Sequence, residues 1–289
     1  MVESAATAEA GVVGGGLPLG DDYAGPRDLP VETVVSADGT TIAYEKSGSG
    51  PPVVIIGGGL NDKAMFTPLA QSLSQQFTVF NYDRRGRGGS GYGDPEQYTI
   101  DREVEDLVAV LDAIGEPGHV FANCSGGMIA IHAAAAGVPM VKLGLYEPPY
   151  SSPPLNGDEV DRLKALLAED RREEAVTLFG KEIVKFMTDE TLERFKQHPA
   201  WQAFESMAPS CVYDAIINDQ YGSIPHALLP KIAVETLVLS GSESAPWIQE
   251  ACVTLSEEIP RARLLRIEGE GHLFNQQTGA PLLAKFFGE

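Results

Sequence analysis

The chain has 289 residues, enough for one large domain with room for an insertion, and its 43% hydrophobic and 21% charged residues suit an ordinary globular protein. With 41 acidic against 21 basic residues the formal charge is −20, and so acidic a surface argues against nucleic acid or an anionic membrane as partner. Three cysteines without paired spacing (Cys124, Cys211, Cys252) argue against a disulfide framework or a zinc site and point to a reducing, cytoplasmic setting; no apolar run reaches membrane-spanning length.

Residues 1–30 are rich in Gly, Ala and Pro, lack a positively charged start, and read as a flexible arm rather than a signal peptide. Val31–Val35 and Thr41–Glu45, joined by the turn Ala37-Asp38-Gly39, predict a β-hairpin. Pro52–Ile56 is a short apolar strand ending in Gly57-Gly58-Gly59, and Lys63–Gln75 has helical spacing. Phe77–Tyr82 predicts a strand, followed by the glycine-punctuated loop Asp83–Ser90. Ile100–Ala113 predicts an amphipathic helix with Val104, Leu107, Val108 and Leu111 on one stripe. Strand His119–Asn123, helix Gly126–Ala136 and strand Val141–Tyr146 continue the alternation. From Asp158 to about Asp219 only helices are predicted, among them Asp158–Ala168 and Glu173–Lys185. Strand Thr236–Ser240, helix Trp247–Glu257, strand Leu264–Ile267 and helix Pro281–Phe287 complete the pattern. Such alternation implies an α/β protein whose mostly parallel sheet is covered on both faces, with a helical block inserted between two of its strands.

Glycine-rich or charged motifs close successive strands: IIGGGL, YDRRGRGGSG, ANCSGG, LYEPP, SGSES and EGEGH. In this order and spacing they make the chain from about Val31 onward resemble the α/β-hydrolase superfamily, most closely its small, bacterial, cap-bearing, esterase-like members. The resemblance implies a mostly parallel eight-stranded sheet built from residues 31–149 and 231–289, with a helical cap over 150–230.

It also implies a nucleophile at the tight turn in Ala122-Asn123-Cys124-Ser125-Gly126. Such an elbow needs small residues two before and two after the nucleophile. Cys124 has Ala122 and Gly126 there; Ser125 would have Asn123 and Gly127, so Cys124 is favoured. His272, in the loop Gly269-Glu270-Gly271-His272, stands where the family keeps its base, whereas His119, His132, His198 and His226 have no comparable setting. The family's usual aspartate after the seventh strand is replaced by Ser244, with Glu243 adjacent. Some relatives carry the acid after the sixth strand instead, which selects Glu147, with Ser244 or Glu243 as the alternative acid position. The oxyanion hole falls to the backbone N–H groups of Ser125 and Gly59, Leu60 being the neighbouring possibility.

Asp83–Ser90 reads as a structural loop below the site. In the helical block Trp201, Phe204, Met207, Tyr213 and Ile217 read as packing before pocket lining, and Asp214 and Asp219 as exposed-turn residues. A Cys–His–acid triad implies acyl transfer: attack on an ester, thioester or lactone of a small, hydrophobic acyl substrate, with no cofactor or metal. Release of the acyl group to water makes a hydrolase; release to another nucleophile makes an acyltransferase or cyclase. The departures at Ala122, Asn123, Cys124 and Ser244 leave a catalytically silent binding protein as the contrasting possibility. Oligomeric state is open.

Overall fold

The computed structural model describes residues 29–151, 155, 157–185, 187–198 and 201–289. The arm expected over residues 1–30 therefore lies, but for its last two residues, outside the described residues.

Eight strands form one sheet: β1 (Val31–Val35), β2 (Thr41–Gly48), β3 (Pro52–Ile56), β4 (Thr78–Tyr82), β5 (Gly118–Asn123), β6 (Met140–Tyr146), β7 (Glu235–Gly241) and β8 (Ala262–Ile267). Their order is β1-β2-β4-β3-β5-β6-β7-β8. β1 and β4 flank β2 antiparallel, and every later pairing is parallel. β3 and β5 are buried along their whole length; β3 is an unbroken apolar run, and β5 is apolar at its centre with His119 and Asn123 near its ends.

Alternate side chains of each strand feed opposite faces. Val53, Ile55, Val79, Phe121 and Leu239 pack with α1 (Thr67–Leu73) and α10 (Gln276–Gly288) on one side. Val54, Ile56, Val120 and Ala122 face α2 (Ile100–Ile114), α3 (Ser125–Ala135) and α9 (Pro246–Glu258) on the other. Between β6 and β7 the chain runs through α4 (Glu159–Ala168), α5 (Arg172–Leu178), α6 (Asp189–Lys196), α7 (Trp201–Met207) and α8 (Cys211–Tyr221). These inserted helices have an aromatic centre in which Phe195 meets Trp201 and Phe204 edge-on, with ring centroids 5.2 and 4.5 Å apart. Trp201, Phe204, Met207, Tyr213 and Ile217 are all buried as packing residues.

Four expectations are corrected. The segment Lys63–Gln75 opens with a 3-10 turn at Lys63–Phe66, capped by Asp62, before α1 begins. Helix Glu173–Lys185 stops as an α-helix at Leu178 and continues as one wide π turn over Phe179–Ile183. The last helix starts at Gln276 rather than Pro281, because Asn275 accepts the N–H groups of Gln277 and Thr278 and leaves Pro281 inside. On α2 the buried face is rotated from the apolar stripe: Glu103 and Asp106 are fully buried and Val104 and Val108 are not. Arg84 and Arg85 fork onto these two carboxylates and so bury them.

Candidate active site

β5 runs straight into α3 through Cys124, whose φ of 52° and ψ of −127° lie where L-residues rarely sit. Such a backbone costs about 1–3 kcal/mol and persists only where its surroundings over-determine it. The Cys124 N–H donates to Tyr146 O at 2.9 Å, extending the β5–β6 ladder, and Gly127 N donates back to Cys124 O at 2.8 Å. A Cβ at Gly126 would stand 2.6 Å from Gly57 O, so only glycine lets α3 approach β3 this closely. At Gly58 a Cβ would stand 2.8 Å from that of Cys124. Cys124 itself is partly exposed, whereas Cys211 and Cys252 are buried and burial pushes both thiols up.

His272 follows β8 in a loop tied down on several sides. Gly269 N donates to Ser242 Oγ at 2.9 Å, Glu243 N donates to Glu270 O at 2.9 Å, and Tyr146 OH donates to Gly271 O. A Cβ at Gly241 would stand 2.2 Å from Glu270 O, so the end of β7 must be glycine for the loop to close down. His272 Nδ1 lies 2.9 Å from Glu147 Oε2, and Cys124 is near enough to act on the ring's charge. Burial disfavours the imidazolium, but Cys124 and Glu147 outweigh it and push the His272 pKa up to about 10.

Glu147 comes directly after β6 with φ of 45° and is fully buried. Its Oε1 accepts Gly241 N at 2.7 Å and Ser240 Oγ at 3.2 Å, both from the end of β7. Burial opposes its charge, yet His272 and the Gly241 N–H hold the carboxyl below its ordinary range. Of the alternative acid positions, Ser244 is buried near this carboxylate and Glu243 is exposed, with only its backbone engaged by the His272 loop.

Of the residues expected to form an oxyanion hole, Ser125 opens α3, where a helix leaves its first N–H groups without intrahelical partners. Gly58 N donates to Asn61 Oδ1 at 3.1 Å and is thereby occupied; Gly59 and Leu60 follow, Leu60 at a φ of 50°. A Cβ at Gly59 would stand 3.2 Å from the Phe179 ring and 3.4 Å from the Asp214 carboxylate.

Asp214 was expected at an exposed turn. It sits in α8 and is 3% exposed, while Asp219 is exposed on the same helix. Asp214 Oδ1 accepts Ser125 Oγ at 2.7 Å and Arg84 Nη1 at 3.1 Å, and Oδ2 accepts Arg87 Nη2. Arg84 Nη1 also donates to Ser125 Oγ at 2.9 Å and Gly57 O at 3.3 Å, while its Nε and Nη2 fork onto Glu103 at 3.0 and 2.6 Å. Arg85 forks onto Asp106 at 2.7 Å through both Nε and Nη2. These pairs bury the two acids of α2, since a charge leaves water only with a partner. The Asp83–Ser90 loop thus reaches the elbow itself rather than lying beneath it. The signal was in the sequence: three arginines within four residues, at 84, 85 and 87, in a chain with only 21 basic residues.

The remaining histidines stand apart. His119 packs on Phe77 and Phe287, His132 lies edge-on to Tyr221, and His226 pairs with Glu258 on the surface. Among the described residues no group of three or more His, Cys, Asp or Glu side chains is placed to hold a metal ion, and no helix is long and apolar enough to cross a membrane.

An eight-stranded, mostly parallel sheet with an elbow after β5 and a histidine loop after β8 is the α/β-hydrolase fold. Residues 53–284 match the model of the alpha/beta hydrolase family, and the chain belongs to that family. An α/β hydrolase from Sphaerobacter thermophilus DSM 20745 is 42% identical in sequence, and its crystal structure matches with a TM-score of 0.82 over 89% of this chain and 100% of that one. Two curated relatives are the uncharacterized hydrolase YraK of Bacillus subtilis and a zearalenone hydrolase of Cladophialophora bantiana. The first is 29% identical over 148 residues, 50% of this chain and 55% of the relative. The second is 34% identical over 127 residues, 42% and 48% respectively. The chain spans about half the length of these curated relatives.

Proposed function

We propose that the protein is a thiol-dependent acyl hydrolase that cleaves a small ester, thioester or lactone through an acyl-thioester on Cys124. The observation that carries this reading is His272, which joins the Glu147 carboxylate at 2.9 Å to a cysteine held in the strained elbow conformation. Its relatives are named as hydrolases, which fits the reading.

In the first step the Cys124 sulfur attacks the substrate carbonyl, and the proton it gives up resides on the His272 nitrogen facing it. Glu147 fixes the ring by accepting from Nδ1 and favours the imidazolium. The oxygen that becomes negative is received by the N–H groups of Ser125 and Gly59, whose dipoles are fixed before the reaction begins. When the carbon–oxygen or carbon–sulfur bond breaks, His272 returns its proton to the leaving group. Water then attacks the thioester with its proton passing to His272, and the acid leaves as Cys124 is regenerated. The inserted helices serve as the cap that bounds the acyl side, where Phe179 supplies an apolar surface beside Gly59. The reading places the protein in solution with a small, apolar acyl substrate.

The test is steady-state hydrolysis of 4-nitrophenyl acetate and butyrate and of a γ-lactone by the wild type, Cys124→Ala and His272→Ala. Turnover lost by about 10³-fold or more in both variants, with melting temperatures preserved, is the expected result. Equal turnover in Cys124→Ala would remove cysteine chemistry from the account.

A further inference from the structure

Asp214 is a buried carboxylate that the reaction above does not use, and it arrives at the elbow from the inserted helices. It bonds to one residue assigned to the oxyanion hole and lies close to the other. Its Oδ1 accepts the Ser125 hydroxyl at 2.7 Å, and its carboxyl group lies 3.4 Å from where a Gly59 Cβ would stand. Arg84 completes the assembly by donating from a single Nη1 to Asp214, to Ser125 Oγ and to Gly57 O, two residues before Gly59. Arg87 holds the other carboxylate oxygen. The two segments that supply the backbone donors, one after β3 and one opening α3, are thus tied to each other through one guanidinium and to α8 through one carboxylate.

We propose that Asp214 is a positioning residue for the oxyanion hole: by docking α8 onto Ser125 and Gly59 it sets the spacing of the two N–H donors. The inference rests on the acyl-transfer reading and deepens it. A buried acid beside a developing oxyanion would repel it if left alone, and Arg84 and Arg87 offset that repulsion. Position and charge therefore predict opposite outcomes for Asp214→Asn. If charge dominated, removing the carboxylate would leave two guanidinium groups near the oxyanion and speed acylation. If position dominates, the donors drift and acylation slows.

Two reagents for the same thiol separate the oxyanion hole from everything else. Acylation of Cys124 by 4-nitrophenyl acetate passes through a tetrahedral oxyanion, whereas alkylation by iodoacetamide does not. For Asp214→Asn the burst rate with the ester falls about 10-fold or more while the alkylation rate stays within about 2-fold of wild type, since removing one donor of such a hole outright costs about 10²–10³-fold and displacing it costs part of that. Ser125→Ala, which removes only the hydroxyl link, shows the same split at a smaller size and decides the matter should Asp214→Asn fail to fold. An unchanged or raised acylation rate, or acylation and alkylation falling together, overturns the proposal. A wild type that the ester acylates no faster than Cys124→Ala overturns the acyl-transfer reading itself, and that outcome is distinct from the others.

Discussion

Glu147 occupies a backbone conformation that a glycine would adopt with less strain, at a φ of 45°. The turn aims its carboxylate across the end of β7, where Gly241 N and Ser240 Oγ occupy one oxygen and His272 the other. Every acceptor direction in use meets a donor, so the acid remains ionised although it is fully buried. Glu147→Gln would replace one acceptor by an NH₂ group and remove the charge that favours the imidazolium. Turnover by that variant falls about 10²–10⁴-fold, in line with loss of the correct histidine tautomer. Glu243→Gln, at an exposed side chain, stays within about 2-fold. Comparable losses from both variants in kcat measurements would contradict the assignment. Cys124, Glu147 and His272 were legible in the sequence as candidate site residues because each follows its own strand. The sequence also selected Glu147 over Ser244 and Glu243, and Glu147 is the carboxylate that meets His272; the positive-φ turn that aims it is what no local pattern showed.

At the scale of elements, strands were the most legible part. β3, β5 and β7 lie inside the sheet, so short apolar stretches mark their centres and their ends fall within a residue of those expected. Helices were less so wherever polar side chains did the organising. The Asn275 cap moved the start of α10 by five residues, and the arginines of the 83–90 loop turned the acidic face of α2 inward. One buried polar residue in a strand has a consequence of its own. His119 in β5 is 5% exposed, is packed against Phe77 and Phe287, and has no partner for Nδ1. Burial, helped by Lys142, pushes its pKa down to about 4. The unfolded chain binds this proton near pH 6.5 and the folded protein only near 4, so stability is full above about pH 6.5 and is lost as pH falls toward 4. The loss attributable to this ring is up to about 3 kcal/mol, and His119→Gln removes it. Urea unfolding of both proteins at pH 7.5, 5.5 and 4.5 checks this: converging stabilities at low pH are expected, and parallel curves would contradict it.

Across the whole molecule, the architecture follows from alternation, but the site is assembled by contacts far apart in the sequence. Asp214 meets Ser125, Arg87 and Arg84 across separations of 89, 127 and 130 residues. No local pattern marks such a pairing, because a lone aspartate on a helix reads as a solvated residue until the fold supplies a partner. The same view explains how so acidic a chain keeps three arginines in its interior: Arg84, Arg85 and Arg87 are each about 1% exposed and each is matched by a carboxylate from another element. Removing one member of such a set strands the others and costs on the order of 3–5 kcal/mol, because the remaining charge is left buried without its partner. The most direct measurement of the central claim is the mass of the protein quenched in acid during turnover of a slow activated ester, followed by peptide mapping. A single acyl adduct on Cys124, absent from Cys124→Ala, is the predicted result; an adduct on Ser125, or none during demonstrable turnover, would contradict it.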